Sequence, residues 1–222
     1  MLRQCSLLFL LISLFLAGCT EPPKPTVNLY RAIHTGDLDQ IKRHLYWGTD
    51  INQPGPDGEY PLHVAARRGR VVIARKLIEQ GARVDVPNGA GETPMEVALK
   101  AGKVQVADLL LQSGAKPHSQ QWLFMLATAG ISDRDVFAFV VAQGADLNGR
   151  DDAGRTPLHV AVAEGQRLVV KRLLQLGAPV NASDNKQRTP LDLALASGAQ
   201  DIIQLLQSYG ARRGAQHQDQ HP

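Results

Sequence analysis

The chain has 222 residues, of which 44% are hydrophobic and 20% are charged, and its 24 basic and 21 acidic residues give a formal net charge of +3. This composition excludes a disordered chain and a polytopic membrane protein. The charge is too small and too mixed for a nucleic-acid-binding surface. Only 5% of the residues are aromatic, so a core must consist largely of Leu, Val, Ile and Ala, which favours helical repeats.

Residues 1–18 have the pattern of a signal peptide. Arg3 supplies a positive charge, and an apolar stretch runs from Leu7 to Ala17, interrupted only by Ser13. That stretch is too short for a bilayer span, which needs about 17 to 25 residues. A buried N-terminal helix is the alternative interpretation.

The signal ends in Leu16-Ala17-Gly18-Cys19, which resembles a bacterial lipobox. The resemblance implies cleavage before Cys19 and acylation of its thiol and amino group. An ordinary signal peptide followed by a cysteine is the alternative. Several acyl chains, at about 0.8 kcal/mol per buried CH₂, would form a permanent anchor on the periplasmic side of the bacterial envelope. Thr20 rather than Asp follows the cysteine, which by analogy with enterobacterial sorting favours the outer membrane.

Residues 19–27 form the predicted lipidated cysteine and tether. Pro22, Pro23 and Pro25 favour an extended, polyproline-like conformation. We expect this segment to lift the folded body off the membrane.

A repeat occupies the rest of the chain. Its first sign is a series of glycines at one constant interval, broken by a single shorter step from the third member to the fourth: Gly48, Gly81, Gly114, Gly144, Gly177 and Gly210. A second series, Pro61, Pro94, Pro157 and Pro190, has the same period and the same shortened step. Two registers with one period predict a stack of homologous units.

Residues 156–177 show how the residues of one unit define its two helices. Thr156 caps a helix, Pro157 occupies its first position, where no backbone donor is needed, and Gly165 ends it. Apolar residues then recur with helical spacing and predict a second amphipathic helix that ends at Gly177. Polar turn residues precede each Thr-Pro pair and predict a tight hairpin.

These features resemble the ankyrin repeat over about residues 28–212. The motifs are Tyr60-Pro61-Leu62-His63, Thr93-Pro94-Met95-Glu96, Thr156-Pro157-Leu158-His159 and Thr189-Pro190-Leu191-Asp192. The resemblance implies an all-α solenoid of about six helix-turn-helix units with short β-hairpin fingers. It also implies that His63 and His159 belong to a structural hydrogen-bond network, which Glu96 and Asp192 would weaken without moving the backbone.

The predicted units begin with an N-terminal cap unit that lacks Thr-Pro and starts at Asn28. Their approximate bounds are 28–58, 59–91, 92–120, 121–154, 155–187 and 188–212. Residues 213–222 are polar and lack apolar periodicity, so we expect a disordered tail.

The fourth unit is irregular, because the step from Gly114 to Gly144 is three positions shorter than the other steps of the glycine series. The glycine spacing predicts a missing finger between units three and four, and a longer turn inside unit four that Ser132 or Asp133 caps. Trp122 and Phe124 lie in this unit. They either refill a disturbed core or form an exposed aromatic anchor for a partner.

No nucleophile signature, metal-ligand spacing or phosphate-binding loop occurs in the repeats, so we expect neither an enzyme nor a cofactor or metal site. The resemblance instead implies binding of another protein on the concave face. Its variable positions map onto residues with mixed charge, namely Pro56, Asp57, Glu59, Arg67, Arg68, Gly89, Ala90, Glu92, Lys100, Asp152, Arg155, Glu164, Asn185, Lys186 and Arg188. Such a surface suits one specific protein better than a nucleic acid or a small-molecule substrate.

The sequence therefore predicts a monomeric, non-catalytic protein-binding lipoprotein whose partner is a periplasmic or secreted protein. Analogy offers two narrower roles, namely an immunity protein against a secreted toxin such as a phospholipase, and an accessory partner of a periplasmic enzyme such as a catalase. A role of another class is an envelope-structural spacer that binds the cell wall.

Overall fold

The computed structural model describes residues 21–214. The predicted signal peptide, the predicted lipidation site Cys19 and residues 215–222 of the predicted tail lie outside the described residues. The described chain contains twelve α-helices: α1 (Leu29–Thr35), α2 (Leu38–Tyr46), α3 (Pro61–Arg67), α4 (Val71–Glu79), α5 (Pro94–Lys100), α6 (Val104–Gln112), α7 (Ser119–Ala129), α8 (Arg134–Ala142), α9 (Pro157–Ala163), α10 (Arg167–Gln175), α11 (Pro190–Ser197) and α12 (Gln200–Ser208).

The helices form six helix-turn-helix units that stack along one axis. Each odd-numbered helix packs against the even-numbered helix that follows it and against the odd-numbered helices of the neighbouring units. Except between α5 and α7, neighbouring odd-numbered helices contact one another more extensively than the corresponding even-numbered helices do. The stack is therefore curved, with the odd-numbered helices on its concave side.

The side chain four residues before the glycine after each odd-numbered helix explains this close approach. It is alanine in five units, at Ala32, Ala65, Ala98, Ala161 and Ala194, and each of these side chains is fully buried. A methyl group lets neighbouring helices approach closely. In unit four the equivalent residue is the larger Leu126, which is also fully buried, and α5 and α7 pack together less extensively than the other neighbours in this row.

Four of the predicted caps make the expected side-chain hydrogen bonds, whereas the Thr156 hydroxyl bonds to the His159 ring and makes no side-chain cap bond to α9. Asn28 and Asp37 accept hydrogen bonds from the first turns of α1 and α2. Thr93 and Thr189 do the same for α5 and α11 and are completed by acidic residues that accept from the threonine backbone N–H. These reciprocal bonds satisfy donors that a helix start leaves without partners.

His63 and His159 are structural, as predicted. Each lies six residues before the glycine after its helix, is fully buried and donates from Nε2 to a backbone carbonyl of the next finger or turn, His63 to Glu92 at 2.9 Å and His159 to Arg188 at 3.0 Å. Tyr30 occupies the same position in unit one, and its hydroxyl donates to the Glu59 carbonyl at 3.0 Å. These bonds connect units one, two and five to the turn that enters the next unit.

The acidic residues at this position preserve the cap and lose the connection to the next turn. Glu96 accepts from the backbone N–H and the hydroxyl of Thr93 at 2.7 and 3.0 Å, but no finger follows unit three. Asp192 caps α11 in the same way and also accepts from the Gly214 N–H at 2.9 Å. The predicted weakening of the hydrogen-bond network therefore affects only the bond from this position to the finger of the next unit, and the helix caps remain intact.

The predicted β-hairpin fingers are wrong in their secondary structure, since residues 21–214 contain no strand. The segments before α3, α5, α9 and α11 are tight turns. Each is closed by two backbone hydrogen bonds, for example from Asn88 N–H to the Glu92 carbonyl at 2.8 Å and from Gly91 N–H to the Asn88 carbonyl at 2.9 Å. Such local bonds close a turn, whereas a β ladder needs a series of paired residues on two strands.

The irregularity of unit four has the predicted form. The chain between α6 and α7 comprises only 113–118, whereas the connections before α3, α5, α9 and α11 are more than twice as long, at 47–60, 80–93, 143–156 and 176–189. No finger therefore separates units three and four. The turn inside unit four, 130–133, is one residue longer than the turns 68–70, 101–103 and 164–166, and Asp133 caps α8 by accepting from two backbone N–H groups.

Both ends of the repeat domain contact segments that the sequence assigns to a tether and a tail. Residues 22–27 lie along α2 instead of projecting from it. At the other end Gly214 is buried and Arg213 lies 3.7 Å from the Asp192 carboxylate. The expectation of disorder from residue 213 onward is therefore wrong for residues 213 and 214.

Candidate protein-binding face

Four turns project from the row of odd-numbered helices, and we call them the fingers. They comprise residues 55–59, 88–92, 151–155 and 184–188, and each is closed by a backbone hydrogen bond between its first and last residue. The fingers join in pairs: the Gly89 N–H donates to the Gly58 carbonyl at 3.2 Å, and the Asn185 N–H donates to the Ala153 carbonyl at 3.1 Å. The missing finger before unit four leaves a gap between the two pairs.

The polar side chains at the base of three fingers hold the turns rigid. One oxygen of each side chain accepts from two backbone N–H groups further along the turn, at 2.8 to 3.0 Å, in Asn88, Asp151 and Asp184. Position 55, which is equivalent to these, is a glycine, so the first finger lacks this brace.

Ion pairs between fingers and helices order the N-terminal half of the face. Glu59 pairs with Arg67 at the end of α3, and Glu92 pairs with Lys100 at the end of α5 at 2.6 Å. The hydrogen bond from Lys100 is the main cause that lowers the pKa of Glu92 below its usual range. Since these side chains remain partly exposed, each pair contributes at most about 1 kcal/mol to stability. Their main effect is to fix charged groups in place.

The C-terminal half uses a different arrangement. Arg155 and Arg188 pair with Asp151 and Asp184 inside their own fingers, at 2.8 and 2.7 Å. Burial alone would raise the pKa of Asp184, but hydrogen bonds from the backbone and guanidinium of Arg188 lower it below the usual range. The helix residue that corresponds to Arg67 and Lys100 is the exposed Ala163 in unit five, so the space between finger and helix is open there.

The structure brings the predicted binding residues to one side of the stack with one exception. Ten are exposed: Pro56, Asp57, Arg67, Arg68, Gly89, Ala90, Asp152, Glu164, Asn185 and Lys186. Six are half-buried: Glu59, Glu92, Lys100, Phe124, Arg155 and Arg188. The exception is Trp122.

Trp122 is a core residue and not an exposed anchor, because only 2% of its surface is accessible to solvent. Its side chain and the fully buried Phe137 belong to the core of unit four. Phe124 is half-buried and packs against that core. It lies six residues before Gly130, the position of the capping histidine in other units.

Unit one supplies part of this face that the sequence motifs do not reveal. Tyr30, Arg31 and His34 line an open cleft of about 530 Å³, with Pro56 and Arg68 on the opposite side. The missing Thr-Pro pair conceals the register of unit one. The spacing between His34 and Arg67, which equals one full repeat, is the signal that would have placed α1 on the face.

The ionisable groups of the described residues form no recognisable catalytic centre. Residues 21–214 hold no group of three or more His, Cys, Asp or Glu side chains that could bind a metal ion. Burial lowers the pKa of both His63 and His159, which favours the neutral imidazoles that their hydrogen bonds require. In the same residues, no helix is both long enough and apolar enough to cross a membrane.

A curved stack of helix pairs with rigid projecting turns defines a helical-repeat protein with an extended recognition surface. Residues 29–121 and 124–217 match the family model described as ankyrin repeats in three copies. The chain belongs to the ankyrin-repeat family, whose fold is typically a non-catalytic protein-interaction module.

Curated relatives share the repeats within longer proteins. The potassium channel SKOR of Arabidopsis thaliana is 48% identical over 150 residues, which are 67% of this chain and 18% of the channel. A 60 kDa lysophospholipase of Mus musculus is 40% identical over 50 residues, 22% of this chain and 9% of that protein. Protein phosphatase 1 regulatory subunit 27 of Mus musculus is 38% identical over 63 residues, 28% of this chain and 41% of that protein.

Solved structures share the fold over most of the chain. The human ASB11 ankyrin repeat domain has a TM-score of 0.65 and 29% identity, over 86% of this chain and 88% of that chain. An ankyrin repeat domain from Acinetobacter baumannii has a TM-score of 0.59 and 28% identity, over 83% and 98%. A chain from a complex of a predatory endopeptidase of Bdellovibrio bacteriovorus with an immunity protein has a TM-score of 0.63 over 83% and 99%; its 24% identity shows similarity of fold.

Proposed function

We propose that this protein is a non-catalytic module, anchored to the bacterial envelope by acylation of Cys19, that binds one periplasmic or secreted protein on its fingers and odd-numbered helices. The observation that carries the proposal is the ordered, mixed-charge face itself. Ion pairs and turn hydrogen bonds hold its side chains in place before binding. A preordered surface loses less conformational entropy on association.

The distribution of charge favours a protein partner. The ion-paired side chains cancel one another locally, and the exposed residues of the face carry both signs, for example Asp57, Arg68, Glu164 and Lys186. A phosphate backbone would require a continuous basic surface. A protein can match alternating charges, which sets specificity and association rate.

Capture from envelope extracts tests the binding face. Ala163→Arg adds a bulky charge between finger and helix on the concave side, where Ala163 is exposed. Leu168→Arg adds the same side chain on α10, where Leu168 is 62% exposed. We expect Ala163→Arg to abolish capture of the partner that the unaltered domain retains, and Leu168→Arg to preserve it. Equal capture by both variants would contradict the proposed face.

Metabolic labelling tests the anchor. The four residues from Leu16 to Cys19 are the basis for this part of the proposal. Labelled palmitate should be incorporated into the unaltered protein, and Cys19→Ala should eliminate the label and release the protein from the membrane fraction. A Cys19→Ala variant that still carried label would refute the assignment.

A second candidate function is inhibition of a toxin or hydrolytic enzyme. The solved complex of an endopeptidase with an immunity protein gives a precedent within this fold, and the gap between the finger pairs could receive a protruding loop. The domain should then abolish the activity of its captured partner at equal stoichiometry. Full activity of the partner in a saturated complex would refute the inhibitory function and leave the binding function intact.

A further inference from the structure

The segment between the predicted lipidation site and the first repeat is fixed to the protein surface. The Trp47 indole N–H donates to the Pro22 carbonyl at 3.1 Å, and the Thr26 N–H donates to the Gln40 side chain at 2.8 Å. His44 bonds to the Val27 carbonyl at 2.7 Å. These contacts extend from residue 22 to residue 27, so they hold the segment along α2.

This arrangement limits how far Cys19 can lie from unit one. Cys19 precedes Glu21, the first described residue, by two positions. Two extended residues span at most about 7 Å. An acyl chain on Cys19 would therefore enter the bilayer close to the point where Pro22 contacts Trp47.

An exposed aromatic pair lies at that point. Tyr46 and Trp47 are 56% and 39% exposed, and their rings meet edge to face with centroids 5.5 Å apart. Both are large amphipathic side chains, of the kind enriched where a bilayer meets water. The buried aromatic side chains Trp122 and Phe137 lie far along the stack, in unit four.

Basic side chains surround this pair. The Lys24 ammonium lies 5.6 Å from the centre of the Trp47 ring. Lys42 and Arg43 precede Tyr46 and Trp47 by one helical turn, which places them on the same side of α2. Asp39 offsets Lys42 at 3.5 Å, and the exposed Glu21 also reduces the positive charge. The local balance is therefore modestly basic, which suits an anionic lipid headgroup.

We propose that Tyr46 and Trp47 insert into the interfacial region of the lipid bilayer and seat unit one on the membrane. This inference rests on the lipid anchor of the proposed function. The anchored protein then stands in a fixed orientation, with units five and six furthest from the membrane, instead of swinging on a flexible tether. Headgroup contacts come from Lys24, Lys42 and Arg43.

Fluorescence quenching in vesicles tests this orientation. The acylated protein that remains after cleavage before Cys19 is reconstituted in phosphatidylethanolamine and phosphatidylglycerol vesicles that contain lipids brominated near the headgroup. We expect bilayer-dependent quenching of tryptophan emission, and we expect Trp47→Phe to remove it, because the remaining Trp122 is only 2% exposed within unit four. A blue shift of the Trp47 emission on reconstitution should accompany the quenching.

A matched control places the same fluorophore at the opposite end of the stack. Tyr209 follows α12 and is 43% exposed, so Tyr209→Trp combined with Trp47→Phe reports whether any exposed tryptophan is quenched. We expect no quenching in this double variant. Quenching as strong as in the unaltered protein would overturn the proposed orientation.

Labelling separates failure of the anchor from failure of the docking. Protein that incorporates labelled palmitate but shows no quenching of Trp47 would overturn the inference and leave the lipid anchor and the binding face intact. If Trp47→Ser also weakened capture of the partner in such protein, the aromatic pair would belong to a protein interface. A lack of palmitate label would refute the anchor and this inference together.

Discussion

Replacing His159 removes a connection between two units and should destabilise the whole stack. The imidazole Nδ1 accepts from the Thr156 N–H at 3.2 Å and from the Thr156 hydroxyl at 2.9 Å, and Nε2 donates to the Arg188 carbonyl at 3.0 Å. Both His159 and Thr156 are fully buried. His159→Ala therefore leaves the Thr156 N–H and hydroxyl without their partner in a place that water does not reach, whereas the Arg188 carbonyl loses one of two bonds and keeps the one from the Asp184 N–H.

The magnitude follows from the three lost hydrogen bonds and the two Thr156 groups that are left without a partner. A net intramolecular hydrogen bond contributes about 1 kcal/mol, and an unsatisfied buried partner adds about 1 kcal/mol or more. The lost packing of the ring adds a cavity term of similar size. We expect His159→Ala to lower the free energy of unfolding by roughly 3–5 kcal/mol.

The same substitution should change how stability depends on pH. Burial lowers the pKa of His159 below its ordinary value of 6.5, and the hydrogen bond to Arg188 opposes this shift. The unfolded chain therefore binds a proton before the folded protein does as pH falls through 6.5. The contribution of neutral His159 to the free energy of unfolding is therefore present above pH 6.5 and is lost as the pH falls below that value. His63 has the same direction of shift, so His159→Ala should remove only part of this dependence.

Urea unfolding followed by circular dichroism at pH 5.0, 6.0, 7.0 and 8.0 measures both effects. His118→Ala is the matched control, because His118 is exposed and makes no side-chain cap bond; it should change stability by less than about 0.5 kcal/mol. A loss below about 1 kcal/mol for His159→Ala, or a pH dependence identical to that of the unaltered protein, would refute the proposed network.

Three further substitutions test the fold and its turns. Trp122→Ala should cost about 3–5 kcal/mol in thermal or urea unfolding, because it empties a buried site; unchanged stability with lost partner binding would contradict its assignment to the core. A Cβ on Gly58 would lie 2.8 Å from the Gly89 Cα, whereas one on Gly91 meets nothing within 4 Å, and both residues have positive φ. Gly58→Ala should therefore cost about 1–2 kcal/mol more than Gly91→Ala, and equal costs would show that the fingers do not touch. Asp184→Asn should cost about 1–3 kcal/mol at pH 7. It should also reduce the loss of stability as pH falls below about 3.8, since the lowered pKa of Asp184 makes its contribution present above that value and lost below it; acid unfolding curves that coincide would contradict this.

The fold could be predicted from the sequence because short-range rules determine each unit. Threonine and proline at the start of a helix and glycine after its end act through backbone chemistry within one turn. The shared period of the glycine and proline series then shows that the same helix-turn-helix unit recurs along the chain. The missing finger also followed from counting, since the shortened step from Gly114 to Gly144 must remove residues from a connection.

Contacts between distant residues could not be predicted in the same way. Burial of Trp122 depends on how α7 packs against its neighbours, and the sequence left an exposed site open as the alternative. The proline-rich segment has an extended local preference, but Gln40, His44 and Trp47 determine where it lies. Local propensity sets the conformation of such a segment, whereas tertiary partners set its position.

The candidate face was only partly predictable for the same reason. The repeat register identified exposed positions such as Asp152 and Lys186, because each unit presents them in the same way. It did not show that Glu92 and Lys100 neutralise each other, since the two side chains lie eight residues apart on different elements. Nor did it place Tyr30 and its cleft on the face, because unit one lacks the motif that sets the register.

Site-specific photo-crosslinking in intact cells tests the central claim, that the concave face binds a protein. A benzoylphenylalanine residue replaces Ala163 on the face in one variant and Leu168 on the opposite side in another, both at exposed positions. We predict a discrete adduct with one envelope or secreted protein from position 163 and none from position 168. The same adduct from position 168 alone, or no adduct from position 163 in folded protein, would contradict the account.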